Sequence, residues 1–136
     1  ILGDGRDSVL LHQKKEEFGL ENVIFHGQQK NPYQFLKYSD LFILSSRYEG
    51  FPNVLLEAGA CGVYALANNC PGGINEIIQP KINGEILAIE NHELFAEKIL
   101  QVLDETHFES LIKDAIRSRF SKQFILSDYV KVFNNL

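Results

Sequence analysis

The chain has 136 residues, 45% of them hydrophobic and 11% aromatic, enough to bury one sizeable core and too much for a disordered segment. Its formal charge of −5, from 13 basic and 18 acidic residues, comes with no basic run longer than Lys14-Lys15, which argues against a nucleic-acid or anionic-membrane surface. Two cysteines, Cys61 and Cys70, show neither metal-ligand spacing nor the density of a disulfide-stapled domain, and no stretch approaches the roughly 20 apolar residues of a membrane span.

In chain order, residues 1–3 read as a strand end, 8–18 as a helix, 23–26 as a strand, 32–38 as a helix and 41–44 as a strand. A helix follows at 53–61, a strand at 63–67, a short helix at 73–78 and a short strand at 85–89. The strands are brief, continuous apolar runs, the mark of a parallel sheet covered by helices on both faces, so the expected class is α/β. Beyond Glu90 the pattern is helical: Phe95, Ile99, Val102 and Leu103 share one face, and Phe108, Leu111, Ile112 and Ala115 another after a Thr106-x-x-Glu109 capping box. Ser127 is expected to cap a last helix carrying Tyr129, Val130 and Phe133. No repeat or linker interrupts the chain, which predicts a single domain over 1–136. Because it opens at Ile1 without an initiator Met, on what reads as the tail of a strand, it is expected to be a piece of a longer protein, shortened on its N-terminal side.

The most informative segment is Ser45-Ser46-Arg47-Tyr48-Glu49-Gly50-Phe51-Pro52-Asn53-Val54-Leu55-Leu56-Glu57-Ala58, which sets two carboxylates eight positions apart around a strand-to-helix turn. Such a turn at the carboxyl end of a parallel strand aims free backbone N–H groups and the positive end of the helix dipole at one spot, which suits a diphosphate, while carboxylates beside it suit sugar hydroxyls. A carboxylate near a helix start is also favoured by the dipole alone, and that explains Glu57 tolerably. It does not explain Glu49 directly before Gly50, where a ligand can approach the backbone, with Pro52 stiffening the turn. Gly3-Asp4-Gly5 and Gly27-Gln28-Gln29 close the first two strands at equivalent places. Taken alone, Gly3-Asp4-Gly5 and the second Gly-rich turn, Asn69-Cys70-Pro71-Gly72-Gly73 leading to Glu76, read as tight turns, and His26 as a hydrogen-bonded structural residue.

The ordered set GDG, VIFHG, SSRYEGFPNVLLEAGACG with its E-x7-E spacing, NNCPGGINEII and NGEIL spans nearly the whole chain and closely resembles the C-terminal half of the retaining GT-B glycosyltransferases of the large group-1 family. The resemblance implies a Rossmann-like domain that binds a nucleotide-sugar donor, closed by C-terminal helices. By motif position, Glu57 would accept hydrogen bonds from the two ribose hydroxyls, a task suited to a carboxylate with several lone pairs. Glu49 would lie by the donor sugar and is the one residue expected to serve catalysis. The amides of Gly50, Phe51 and Asn53 would lie near the sugar hydroxyls, those of Val54 and Leu55 near the diphosphate, and Gly27, Gln28 and Gln29 near the nucleobase. No metal or cofactor is implied, and no general base within this chain. The family's diphosphate-clamping Arg and Lys belong upstream of the GDG segment, and Arg6 and Lys14-Lys15 do not occupy that motif.

The function implied is transfer of a hexose or N-acetylhexosamine from a nucleotide diphosphate donor, UDP-sugar by family base rate, to a glycan or lipid-linked acceptor held by an N-terminal domain. This chain alone is expected to be inactive, and the protein cytoplasmic, with membrane association of the full-length protein left open. Two competing readings are a nucleotide-sugar epimerase of the same fold, which needs catalytic acids and bases not found here, and a flavodoxin-like regulatory module, which has no reason for the E-x7-E context.

Overall fold

The computed structural model describes residues 1–134, which divide into two compact units, Ile1–Gln34 and a second beginning at Phe35. In the first unit, helix α1 spans Ser8–Glu17. The segments at 1–3 and 23–26, expected as strands, are joined by hydrogen bonds but do not make a regular ladder. The Ile1 ammonium donates to the Ile24 carbonyl at 2.7 Å, and the His26 amide to the Ile1 carbonyl at 2.9 Å. A short helix, α2 at Tyr33–Leu36, lies at the division and replaces the longer one expected.

The second unit is built on three parallel strands in sequence order, β1 at Phe42–Leu44, β2 at Ala65–Asn68 and β3 at Gly84–Leu87. The register sets Phe42 against Ala65 and Ala65 against Gly84. Helices α3 at Asn53–Cys61 and α4 at Ile74–Ile77 make the crossovers, and α5 at His92–Asp104, α6 at Glu109–Phe120 and α7 at Lys122–Asn134 close the chain. This is the α/β fold with helices on both faces that the apolar runs predict. Side chains alternate across β2, as the period of two in a strand requires. Ala65 and Ala67 pack with Leu55, Ile74, Ile77 and Ile116 on one face, while Tyr64, just before the strand, and Leu66 pack with Phe95, Val102 and Ile112 on the other. Helix α6 thus feeds both cores, through Ile116 and Ile112. Each such side chain fully buried contributes roughly 1.5–3 kcal/mol. Contact between α3 and α6 is close at Gly59, where a Cβ would stand 2.4 Å from Ile116 Cγ1.

The terminal helices depart from expectation at several points. Helix α6 begins at Glu109 behind Phe108 with no side-chain cap, so the Thr106 capping box does not form, and Phe108 and Leu111 are exposed. Leu103 is also exposed, while α5 is capped by Asn91, whose side chain accepts from the Leu94 amide at 3.1 Å. Ser127 lies inside α7 and donates its hydroxyl to the Phe124 carbonyl; the hydroxyl at the helix start belongs to Ser121, which accepts from the Phe124 amide at 3.3 Å. Tyr129, Val130 and Phe133 are exposed.

The buried Tyr64 adds a pH dependence. Burial first, then the neighbouring Glu85 carboxylate, holds its phenol well above the ordinary value of 10.0. The hydroxyl donates to Glu85 Oε1 at 3.4 Å, and Glu85 pairs with Lys98 at 2.8 Å. Above pH 10 the unfolded chain releases this proton while the folded chain keeps it, so the stability it carries is complete below that pH and lost as pH rises beyond it. Chemical denaturation from pH 8 to 11 should show a steeper alkaline loss for the wild type than for Tyr64→Phe; parallel slopes would contradict the assignment.

Candidate functional site

Because the three strands are parallel, the segments after β1, β2 and β3 leave the sheet at the same end. Asn68, the last residue of β2 and only 2% exposed, joins them: its Nδ2 donates to the Ser46 carbonyl at 2.8 Å and its Oδ1 accepts from the Ile89 amide at 3.0 Å. Next to it the Asn69 amide donates to the Leu87 carbonyl at 2.8 Å. A buried amide side chain satisfied on both sides fixes the exit direction of its neighbours.

On that base the two strand-to-helix turns clasp each other. The Glu49 amide donates to the Pro71 carbonyl at 3.1 Å and the Gly73 amide to the Gly50 carbonyl at 2.7 Å. Their backbones come so close that a Cβ on Gly72, whose φ is +129°, would fall 1.7 Å from the Glu49 carbonyl oxygen. One on Gly73 would meet Phe51 Cδ2 at 2.8 Å. The turn at 69–73, which taken alone reads in sequence as a turn, is therefore the wall that holds the Glu49 turn in place. Its signal was the adjacent glycine pair, a sign of close backbone approach.

The helix that follows starts without a cap. Pro52 precedes α3, no side chain covers its N-terminus, and Gly62 in the left-handed conformation, φ +85°, ends it. The Leu55 amide donates to the Pro52 carbonyl at 2.9 Å, and the Leu55 side chain is core. Among the described residues the amides of Gly50, Phe51, Asn53 and Val54 make no hydrogen bond, which leaves four donors at the positive end of the helix. Glu49 and Glu57 are both half-buried, and neither carboxylate has an ion pair or hydrogen bond among the described residues. A cavity of about 430 Å³ in this unit is walled by Lys81, Ile82, Phe108 and Leu111 and takes no wall from the Glu49–Glu57 segment. No group of three His, Cys, Asp or Glu is placed to hold a metal ion among the described residues.

The remaining candidates, Gly27, Gln28 and Gln29, are in the first unit. There the Gly3 amide donates to the Gly27 carbonyl at 2.8 Å, which joins the GDG turn to the one after the second segment, and Gln29 Nε2 donates to the His26 carbonyl at 2.6 Å. The GDG turn lines a cavity of about 330 Å³ with Leu11 and Phe25.

Residues 1–119 match the family described as glycosyl transferases group 1. The chain belongs to this family. Among its relatives, this chain is 38% identical over 84 residues to an uncharacterized glycosyltransferase, MJ1059, of Methanocaldococcus jannaschii, with 61% of this chain and 21% of that one covered. It is 31% identical over 141 residues to a lipopolysaccharide 1,6-galactosyltransferase of Salmonella typhimurium, covering 99% of this chain and 38% of that one. Among solved structures, Anabaena Alr3699/HepE in complex with UDP and glucose superposes with a TM-score of 0.83 at 27% identity, over 99% of this chain and 40% of that one. The chain thus spans from about a fifth to two fifths of the length of these relatives. No helix among the described residues is long and apolar enough to cross a membrane.

Proposed function

We propose that this chain is the donor-binding part of a retaining glycosyltransferase that moves a hexose or N-acetylhexosamine from a nucleoside diphosphate, UDP in the leading reading, to a glycan or lipid-linked acceptor. The observation that carries it is a pair of half-buried carboxylates without a partner among the described residues, Glu49 before and Glu57 after four open amides at the start of α3. Half-buried carboxylates without protein partners are acceptors in waiting, and sugar and ribose hydroxyls are donors of the matching kind.

In this reading Glu57 takes the ribose diol, Glu49 stands by the donor sugar, and the amides of Gly50, Phe51 and Asn53 meet its hydroxyls. Val54 faces the diphosphate; the Leu55 amide, already bonded to Pro52, would serve through the helix dipole. Gly27, Gln28 and Gln29 meet the base. The acceptor would be held by the part of the longer enzyme outside this chain, and sugar transfer would need that part. Leaving-group charge is then met by oriented dipoles and by groups from that part, with the acceptor hydroxyl positioned against the anomeric carbon. No metal or cofactor has a role in the proposal.

UDP titrated into the chain, followed by amide chemical shifts, should give a dissociation constant of roughly 0.1 mM to several mM, because no Arg or Lys of this chain is assigned to the diphosphate. Shifts should centre on Gly27, Gln28 and Gln29 and on the segment from Glu49 to Glu57. No response at several millimolar UDP, or one confined to other residues, would count against the donor site.

A further inference from the structure

The last turn of α6 reaches the first turn of the site and the helix that follows the second. Phe120 sets its ring edge-on to Phe51, with centroids 6.0 Å apart and planes at 60°, and Phe51 also closes over Gly73. Its neighbour Arg119 lays the guanidinium 4.9 Å from the Phe120 centroid and donates to the main-chain carbonyls of Glu76 and Ile77, the latter at 3.3 Å. Those carbonyls belong to the end of α4, the helix that the second turn feeds. Two consecutive residues therefore hold the first turn by a ring and the element after the second by a cation. Both are half-buried; Phe120 also packs against the edge of the core that holds Leu55, Ile74, Ile77 and Ile116, whereas Ile112 and Ile116 themselves are buried. Phe51 itself is 42% exposed, so the Phe120 edge and the Gly73 backbone account for much of what fixes its ring.

We propose that Phe120 and Arg119 are positioning residues for the nucleotide-sugar site, acting through Phe51 and the α4 carbonyls to hold the Glu49 turn against the 71–73 turn and so to aim the Gly50 and Phe51 amides. The functional half rests on the donor-site reading above; the mechanical half does not. Leu at 120 keeps apolar bulk but loses the ring edge and the cation-facing surface, whereas Tyr keeps both.

The experiment is amide hydrogen exchange on the wild type, Phe120→Leu and Phe120→Tyr, followed by UDP titration of each. The probes are the amides of Glu49 and Gly73, which close the clasp, with Leu66 and Ala67 in the central strand as the reference for global opening. Phe120→Leu should speed exchange at Glu49 and Gly73 at least tenfold over the change in the strand, and weaken UDP at least threefold; Phe120→Tyr should restore both. Arg119→Gln, which leaves the ring in place, should speed Gly73 in the same direction and supplies the reading if the Leu variant does not fold. Unchanged exchange at Glu49 and Gly73, or an increase matched by the strand, overturns the brace. Faster exchange with undiminished UDP affinity overturns its functional half. A wild type that does not bind UDP overturns the donor site instead, and the exchange data still decide the brace.

Discussion

Gly72→Ala is expected to destabilise the unit beginning at Phe35 by about 3 kcal/mol and to remove UDP binding. The added Cβ would lie 1.7 Å from the Glu49 carbonyl oxygen, a distance no packing tolerates, and the position has a φ of +129° that L side chains rarely adopt. Backbone strain of this kind costs about 1–3 kcal/mol, and prising the turns apart adds the two hydrogen bonds between them, about 1 kcal/mol each. For a unit of this size the melting temperature should fall by roughly 12–24 °C. Gly50→Ala is the control: no atom lies within 4 Å of a Cβ there, so stability should change by no more than about 0.5 kcal/mol. UDP-sugar binding should nevertheless weaken, since the methyl would stand where a ligand approaches the turn. A Gly72→Ala protein that melts with the wild type would show that the clasp is not what holds the site.

In the longer enzyme proposed above, Glu57→Ala should weaken donor binding by about 1.5–3 kcal/mol, the range for hydrogen bonds to a charged acceptor, which is a loss of roughly ten- to over a hundredfold. Because the Glu57 carboxylate has no protein partner among the described residues, its removal orphans no buried group, and the melting temperature should hardly move. Glu49→Ala should act differently. At saturating donor its turnover should fall further than that of Glu57→Ala, because in the proposed site Glu49 would lie by the reacting sugar while Glu57 would hold the distant ribose. Steady-state kinetics of both variants on one preparation decide it: equal donor affinity for Glu57→Ala and wild type removes the ribose role, and equal or reversed turnover effects remove the division of labour. A large drop in melting temperature for Glu57→Ala would instead return that residue to a structural part in the helix.

Where the determinants are local, sequence and structure coincide. Helix α3 runs from Asn53 to Cys61, between Pro52, which cannot continue a helix backward, and Gly62, which takes the left-handed turn at its end. The apolar runs expected as strands at 41–44 and 63–67 form the parallel strands Phe42–Leu44 and Ala65–Asn68, because such runs need both faces covered. The spacing of Glu49 and Glu57 across that turn and helix was equally legible, since chain direction alone sets it.

Other features depend on neighbours far along the chain. Helical periodicity offered Leu103, Phe108 and Leu111 as core, yet they are exposed, because which side of an amphipathic helix is buried depends on what packs against it, and Val102 and Ile112 met the sheet instead. Thr106 and Ser127 carried capping signals, but the helix starts fell at Glu109 and Lys122. What sequence by itself determined was the alternation of strands and helices, the family, and the two carboxylates with their turn. Only the tertiary structure decided that Gly72 and Gly73 wall that turn, that Asn68 ties three strand ends together and that Phe120 reaches Phe51, because each of these depends on atoms about 20 or more residues apart meeting at a few ångströms, a relation no local pattern encodes.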